Sequence, residues 1–275
     1  MKKARVLYVT NQMLPYLPET PMSKTCRYLP QAIQEKGKEV RIFMPRYGSI
    51  NERRHQLHEV IRLSGMNIVV NDVDHPLIIK VASIQAARMQ VYFIDNEEYF
   101  QRKNILADDN GKFFTDNDER SIFFCRGVLE TIKKLGWIPD IIHCHGWMTS
   151  FLPLYLKTIY KDDPVYAHTK VVYSYYDDEF KGNLDKKLST KLVFDGLRPK
   201  DVELYLEPNF VNVNKVGIKM ADAVIQGSEK VNTDLEKYVK KINTPKLGYK
   251  DETEYAAAYS NLYDEIFLND HVLAE

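Results

Sequence analysis

Pro139-Asp140-Ile141-Ile142-His143-Cys144-His145-Gly146-Trp147 reads as a buried strand that ends in two histidines and a tryptophan. An apolar helix is predicted behind it, over Thr149–Lys157. Upstream, Arg5–Thr10 alternates and is rich in β-formers, which predicts a first strand. Ser23 is the expected cap of a helix running to Lys36, with Gly37 at its C-terminal turn and a kink at Pro30. Glu39–Met44, closed by Pro45, is the second strand, so the opening β-α-β predicts a parallel, right-handed crossover.

Short predicted strands at Asn67–Val70, Ile78–Ala82 and Gln90–Ile94 look like an antiparallel insertion at the sheet edge. Thr115 with Asp118 suggests a capping box for a long helix through Leu135. Asp140–His143, Lys170–Ser174 and Asp222–Gln226 are then strands separated by helical stretches. A last helix is expected over Asp251–Phe267, with Tyr255, Tyr259, Leu262, Tyr263 and Ile266 on one face. The pattern predicts an α/β fold: one Rossmann-like, doubly wound domain with a mostly parallel sheet.

Composition narrows the function classes. Lys+Arg and Asp+Glu both number 38, so no basic stripe marks a nucleic-acid partner. No apolar run reaches the ~18–20 residues of a membrane span, and the N-terminus reads as a strand rather than a secretory leader. Three scattered cysteines, Cys26, Cys125 and Cys144, suggest reduced thiols and a cytoplasmic location. His143 and His145 share one strand face, but Cys144 points to the other and no third ligand cluster follows. No metal and no cofactor are therefore expected. For His143 the plainer reading is a hydrogen-bonded core histidine.

The histidine stretch resembles the Asp-x-x-His-x-His-Asp-Trp signature of glycogen and starch synthases, GT-B glycosyltransferases that elongate α-1,4-glucans from ADP-glucose. Further pieces follow in order: Asn11–Pro15, Leu29-Pro30, Met44-Pro45-Arg46-Tyr47-Gly48, Tyr92–Asp95 with Phe100-Gln101-Arg102, Asp116-Asn117-x-x-Arg120, and Lys215–Ile218 with Ala221-Asp222. The resemblance implies that residues 1–245 form the acceptor-side, N-terminal half of a GT-B fold. Residues 246–275 would be a helix of the same domain that returns to pack near strand one, since Ala257–Tyr263 resembles the last helix of full-length synthases.

The departures are equally specific. The family's Lys-x-Gly-Gly-Leu donor loop becomes Pro18-Glu19-Thr20-Pro21-Met22, where prolines lack N–H groups and Glu19 adds a negative charge. His-Asp-Trp-His becomes His145-Gly146-Trp147-Met148, and a His-Asn pair that lines the sugar site becomes Tyr176-Asp177. After Lys241 the residues do not resemble the family's nucleotide-binding domain. These features imply a glucan-binding or regulatory module in glycogen metabolism without independent glucosyltransferase activity, one in which no catalytic residue is assigned and His145 is the retained family position. The alternative is an active ADP-glucose:α-1,4-glucan glucosyltransferase whose donor domain another chain supplies. The expected glucan contacts are Tyr47, Phe100, Arg102, His145, Trp147, Tyr176 and Asp177. His145, Tyr47, Trp147 and Tyr176 are expected to line one depression at the C-terminal edge of the sheet. The expected partners are an α-1,4-glucan and a glycosyltransferase or a second copy of the chain.

Overall fold

The structure, a computed structural model, describes residues 3–272, with side chains through residue 267. The strands are β1 (Arg5–Thr10), β2 (Glu39–Pro45), β3 (His58–Glu59), β4 (Met66–Val70), β5 (Val73–Ile84), β6 (Met89–Asp95), β7 (Ile141–His145), β8 (Lys170–Tyr175), β9 (Ala223–Gln226) and β10 (Lys246–Leu247). The α-helices are α1 (Pro21–Glu35), α2 (Glu52–His55), α3 (Glu97–Phe100), α4 (Asn117–Leu135), α5 (Phe151–Lys157), α6 (Leu188–Phe194), α7 (Phe210–Met220), α8 (Thr233–Lys241) and α9 (Tyr255–Val272).

The strand order is β10-β9-β8-β7-β1-β2-β6-β5-β3, with β4 paired to β5. Every pair from β10 across to β6 is parallel, whereas β5 runs antiparallel to β3, β4 and β6. The five expected parallel strands therefore lie together, and the antiparallel insertion sits at the edge. The chain winds one way from β1 through β2 to β6 and the other way from β7 to β10. This places the topological switch between β1 and β7, where open α/β sheets leave a crevice at the strands' C-terminal ends. β7 lies in mid-sheet and is buried at all of Ile141–His145, its two histidines included.

Helix starts differ from the sequence reading. Thr20, not Ser23, caps α1, because Pro21 takes the first helical position, where its missing N–H costs nothing. Ser23 completes the box instead: its N–H donates to Thr20 Oγ1 at 3.0 Å and its Oγ accepts from Thr20 N at 2.7 Å. The helix continues through Pro30 to Glu35. The box expected at Thr115–Asp118 does not form. α4 starts behind Asp116, which makes no side-chain cap, and Asp118 instead pairs at 2.8 Å with buried Lys191. The helix expected from Thr149 is a 3₁₀ turn, Trp147–Thr149, leading into α5.

The final helix starts at Tyr255, after a turn in which Asp251 Oδ1 accepts from Thr253 N at 2.8 Å. Tyr255, Tyr259, Leu262, Tyr263 and Ile266 are all buried. They face α1 and the sheet: Lys38 reaches Ser260 Oγ at 3.1 Å and Asp264 at 2.8 Å, and the Tyr263 hydroxyl lies 3.1 Å from that of Tyr8 on β1. No described helix is long and apolar enough to cross a membrane.

Candidate functional site

The crevice at the switch point opens into a depression of about 610 Å³. Its walls come from loops leaving the strand ends: Gln12 after β1, Thr20–Met22 at the start of α1, Tyr176–Asp178 after β8, Ser228–Lys230 after β9, and Tyr249 after β10. A smaller depression of about 370 Å³ shares Thr20, Pro21 and Tyr249 and adds Glu19, Lys24 and Glu252. Lys24 and Glu252 form an ion pair there, fastening the segment before α9 over the first turn of α1.

Of the residues expected to contact a ligand, the structure brings Tyr176 and Asp177 to this depression. It does not bring the others. His145 stands at the sheet's C-terminal edge as expected but is fully enclosed and does not line the depression. Its Nδ1 lies 2.8 Å from the Tyr176 hydroxyl, and its Nε2 has no hydrogen-bond partner among the described residues. Burial pushes its pKa down to about 3, so the imidazole is neutral. Tyr176 itself is held flat against the turn after β9: a Cβ on Gly227 would stand 2.4 Å from its ring.

Tyr47 and Phe100 are fully buried and pack edge to face, 5.9 Å apart. The Tyr47 hydroxyl donates to Met148 Sδ at 3.4 Å. Trp147 is buried against Phe180 and Phe113. Arg102 is committed to Asp116 and to the Glu98 carbonyl. The motif arginine Arg120 is wholly buried and donates to the carbonyls of Tyr99 and Ile105. Much of the motif set therefore pins the 100–106 loop to α4, which is a structural task.

His143 is a core histidine, in agreement with the plainer reading. Its Nδ1 lies 2.6 Å from the Tyr263 hydroxyl and its Nε2 2.7 Å from Ser174 Oγ. Burial, and then the neighbouring His145 ring 3.9 Å away, hold its pKa well below the ordinary value. Cys26, Cys125 and Cys144 are free and buried, and burial raises each thiol's pKa, so none is a ready thiolate. Among the described residues no group of three His, Cys, Asp or Glu side chains could hold a metal ion.

The loop Pro18–Met22 uses up its own amides. Pro21 has none, and Ser23 N–H is taken by Thr20 Oγ1. Only Met22 N–H remains in the first three positions of the helix, and Glu19 stands exposed beside it. Met22 turns its side chain inward against Gly146, whose φ of +78° is open to glycine but strained for other residues.

Sequence reasoning missed Asp178. This half-buried residue lines the depression, with Oδ2 accepting from Trp147 N at 3.2 Å and Oδ1 buried without a partner among the described residues. Burial pushes its pKa up to about 7, despite the Trp147 N–H. Its signal lay in the run Asp177-Asp178-Glu179, which only the fold resolves into exposed and enclosed carboxylates.

An open, mostly parallel sheet with a polar crevice at its switch point defines a Rossmann-like α/β domain. Residues 5–251 match the model of the starch synthase catalytic domain, and the chain belongs to that family, the glycogen and starch synthases of GT-B fold. It is 39% identical over 221 residues to a glycogen synthase of Chlorobium limicola, covering 79% of this chain and 44% of that protein. It is 38% identical over 228 residues to a glycogen synthase of Chlorobium luteolum, covering 82% and 46%. The chain thus spans under half the length of these relatives. The catalytic domain of starch synthase IV from Arabidopsis thaliana, bound to ADP and acarbose, superposes over 91% of this chain and 52% of that one. That match has a TM-score of 0.73 at 18% identity and is a likeness of fold.

Proposed function

We propose that this chain is a glucan-binding member of the glycogen and starch synthase family that does not transfer glucose on its own. The observation that carries this reading is the start of α1. A nucleotide diphosphate needs convergent N–H groups there. Pro21 has no N–H and Thr20 occupies that of Ser23, while the acidic Glu19, Asp177, Glu229 and Glu252 offset Lys24, Lys230 and Lys250 on the walls. Such a mouth offers a diphosphate neither convergent amides nor an excess of positive charge, whereas a neutral polyol finds hydroxyl, amide and carboxyl partners in Gln12, Thr20, Asp178, Ser228 and Tyr249. Residues 1–245 act as the acceptor-side domain, with 246–275 as its returning helix, and the buried free thiols accord with a cytoplasmic setting.

Calorimetric titration with maltoheptaose and with ADP-glucose tests the proposal. The glucan is expected to bind and the nucleotide sugar is not. ADP-glucose-dependent elongation of glycogen by the purified chain would overturn it. It would favour instead the active glucosyltransferase that the names of the relatives suggest.

A further inference from the structure

At the opposite end of the sheet, where the parallel strands begin, Lys3, Gln34, Lys38, Glu39, Arg41, Arg88 and Gln90 line a cavity of about 360 Å³. Four of these side chains are cations and one is an anion. The anion is already engaged, since the Glu39 carboxylate accepts from Arg5 Nε and from Trp137 Nε1. Lys38 is engaged too, with Ser260 and Asp264 on α9. Lys3, Arg41 and Arg88 make no ion pair among the described residues. Gln90 gives its amide oxygen to the Tyr92 hydroxyl at 3.0 Å, which leaves its NH₂ to donate.

Arg41 is the centre of this group. Its guanidinium lies 4.8 Å from the Trp137 ring centroid and 5.6 Å from that of Tyr92, so two aromatic faces hold it in place. Its NH1 is buried and has no hydrogen-bond partner among the described residues. A buried donor with no partner among the described residues, beside the open donors of Lys3, Arg88 and Gln90, invites an acceptor. The uncommitted charges here are all positive, and a planar guanidinium is suited to two oxygens of one group.

We propose that this cavity is an anion site for a small phosphate-bearing molecule, with Arg41 as its bidentate anchor and Arg88 and Lys3 as outer charges. The site is separate from the crevice, which opens at the other end of the strands, and the inference does not rest on the function proposed for that crevice. More than one positive charge is left over, so a multiply charged phosphate is favoured over a monocarboxylate.

The test titrates the full chain with inorganic pyrophosphate by calorimetry, at ionic strength held constant with sodium chloride. Saturable one-to-one binding is expected. It should weaken about tenfold in Arg41→Gln and by a similar factor in Arg88→Glu, as expected for loss of a charge-assisted contact. Maltoheptaose binding should be unaltered in both variants. Arg88 is exposed, so its variant carries the test if Arg41→Gln does not fold. No saturable binding, or equal affinity in the wild type and Arg88→Glu, overturns the proposal.

Discussion

Asp178 Oδ2 lies 2.7 Å from the point that a Cβ on Gly146 would occupy. The same point is 2.5 Å from Met22 Cε, so side chains from two other loops fill the space that a residue at 146 would need. Glycine at 146 is the residue that leaves room for the Asp178 carboxyl to reach in from the loop after β8.

Gly146→Ala is therefore expected to destabilise the fold by about 1–3 kcal/mol, the cost of a side chain in a backbone region that is almost glycine-only. Contact with Met22 and Asp178 adds to that cost. Gly146→Asp should be worse, because it sets a second carboxylate against Asp178. Chemical denaturation of the single variants and of Gly146→Ala/Met22→Ala checks this: relief of the Met22 contact should make the double variant lose less than the sum. Strict additivity would show that the crowding is not felt.

Asp178 also sets a pH dependence. Its folded pKa, about 7, lies above the ordinary 3.8. Its contribution to stability is thus fully present below about pH 4 and is lost as pH rises through 7. Asp178→Asn keeps an acceptor for Trp147 N–H and removes the buried charge. At pH 8 the variant should exceed the wild type in stability by about 1–2 kcal/mol, and at pH 4 the two should be alike. Unfolding curves at the two pH values settle the point, and an equal difference at both would mean that the carboxyl does not titrate in this range.

The histidines act with the opposite sign. Both have folded pKa values depressed by burial, that of His145 to about 3 from an ordinary 6.5. Each contributes stability that is present above pH 6.5 and is lost progressively as pH falls toward the folded value. His145→Asn should flatten the acid limb of the stability–pH curve while lowering stability at pH 7.5. An unchanged slope between pH 6.5 and 4 would count against neutral burial.

Removing α9 is expected to be severe. Tyr255, Tyr259, Leu262, Tyr263 and Ile266 are buried, and at ~1.5–3 kcal/mol for each large side chain their loss is on the order of 10 kcal/mol. That is comparable with the whole stability of an ordinary domain. A chain ending at Lys250 should be insoluble or melt far lower. Tyr263→Phe, which removes only the hydroxyl shared with His143 and Tyr8, should cost ~1–3 kcal/mol. A truncated chain that melts like the full one would show α9 to be an unattached tail.

Periodicity and β-propensity made the sheet legible, because a strand in mid-sheet is buried on both faces and β7 opens on Ile141-Ile142, with Cys144 behind and two neutral, hydrogen-bonded histidines on the other face. The apolar stripe of α9 was legible for a similar reason. The start of α1 was misplaced by three residues, although Pro21 was a sign that Thr20 precedes the first turn. The site was harder to read. Tyr47, Phe100 and Trp147 are large enough to line a cleft or to fill a core, and a motif does not say which side of the ring solvent reaches. Asp178, Ser228 and Tyr249 lie on loops after three different strands, and only the order of those strands in the sheet brings them to one opening.

The contacts of Tyr263 with Tyr8 and His143 have a consequence for how the last helix finds its seat. Greasy surfaces tolerate sliding, since one leucine can replace another a turn away. Hydroxyls and an imidazole do not. If α9 slid by one turn so that Phe267 took the place of Tyr263, His143 Nδ1 and the Tyr8 hydroxyl would be left with nothing to bond, at about 1–3 kcal/mol for each stranded group; a slide the other way would set the Tyr259 hydroxyl there instead. Tyr263 therefore acts as a one-sided alignment key: the apolar stripe supplies most of the adhesion, and the polar contacts reject the slide that would bring Phe267 to the same place.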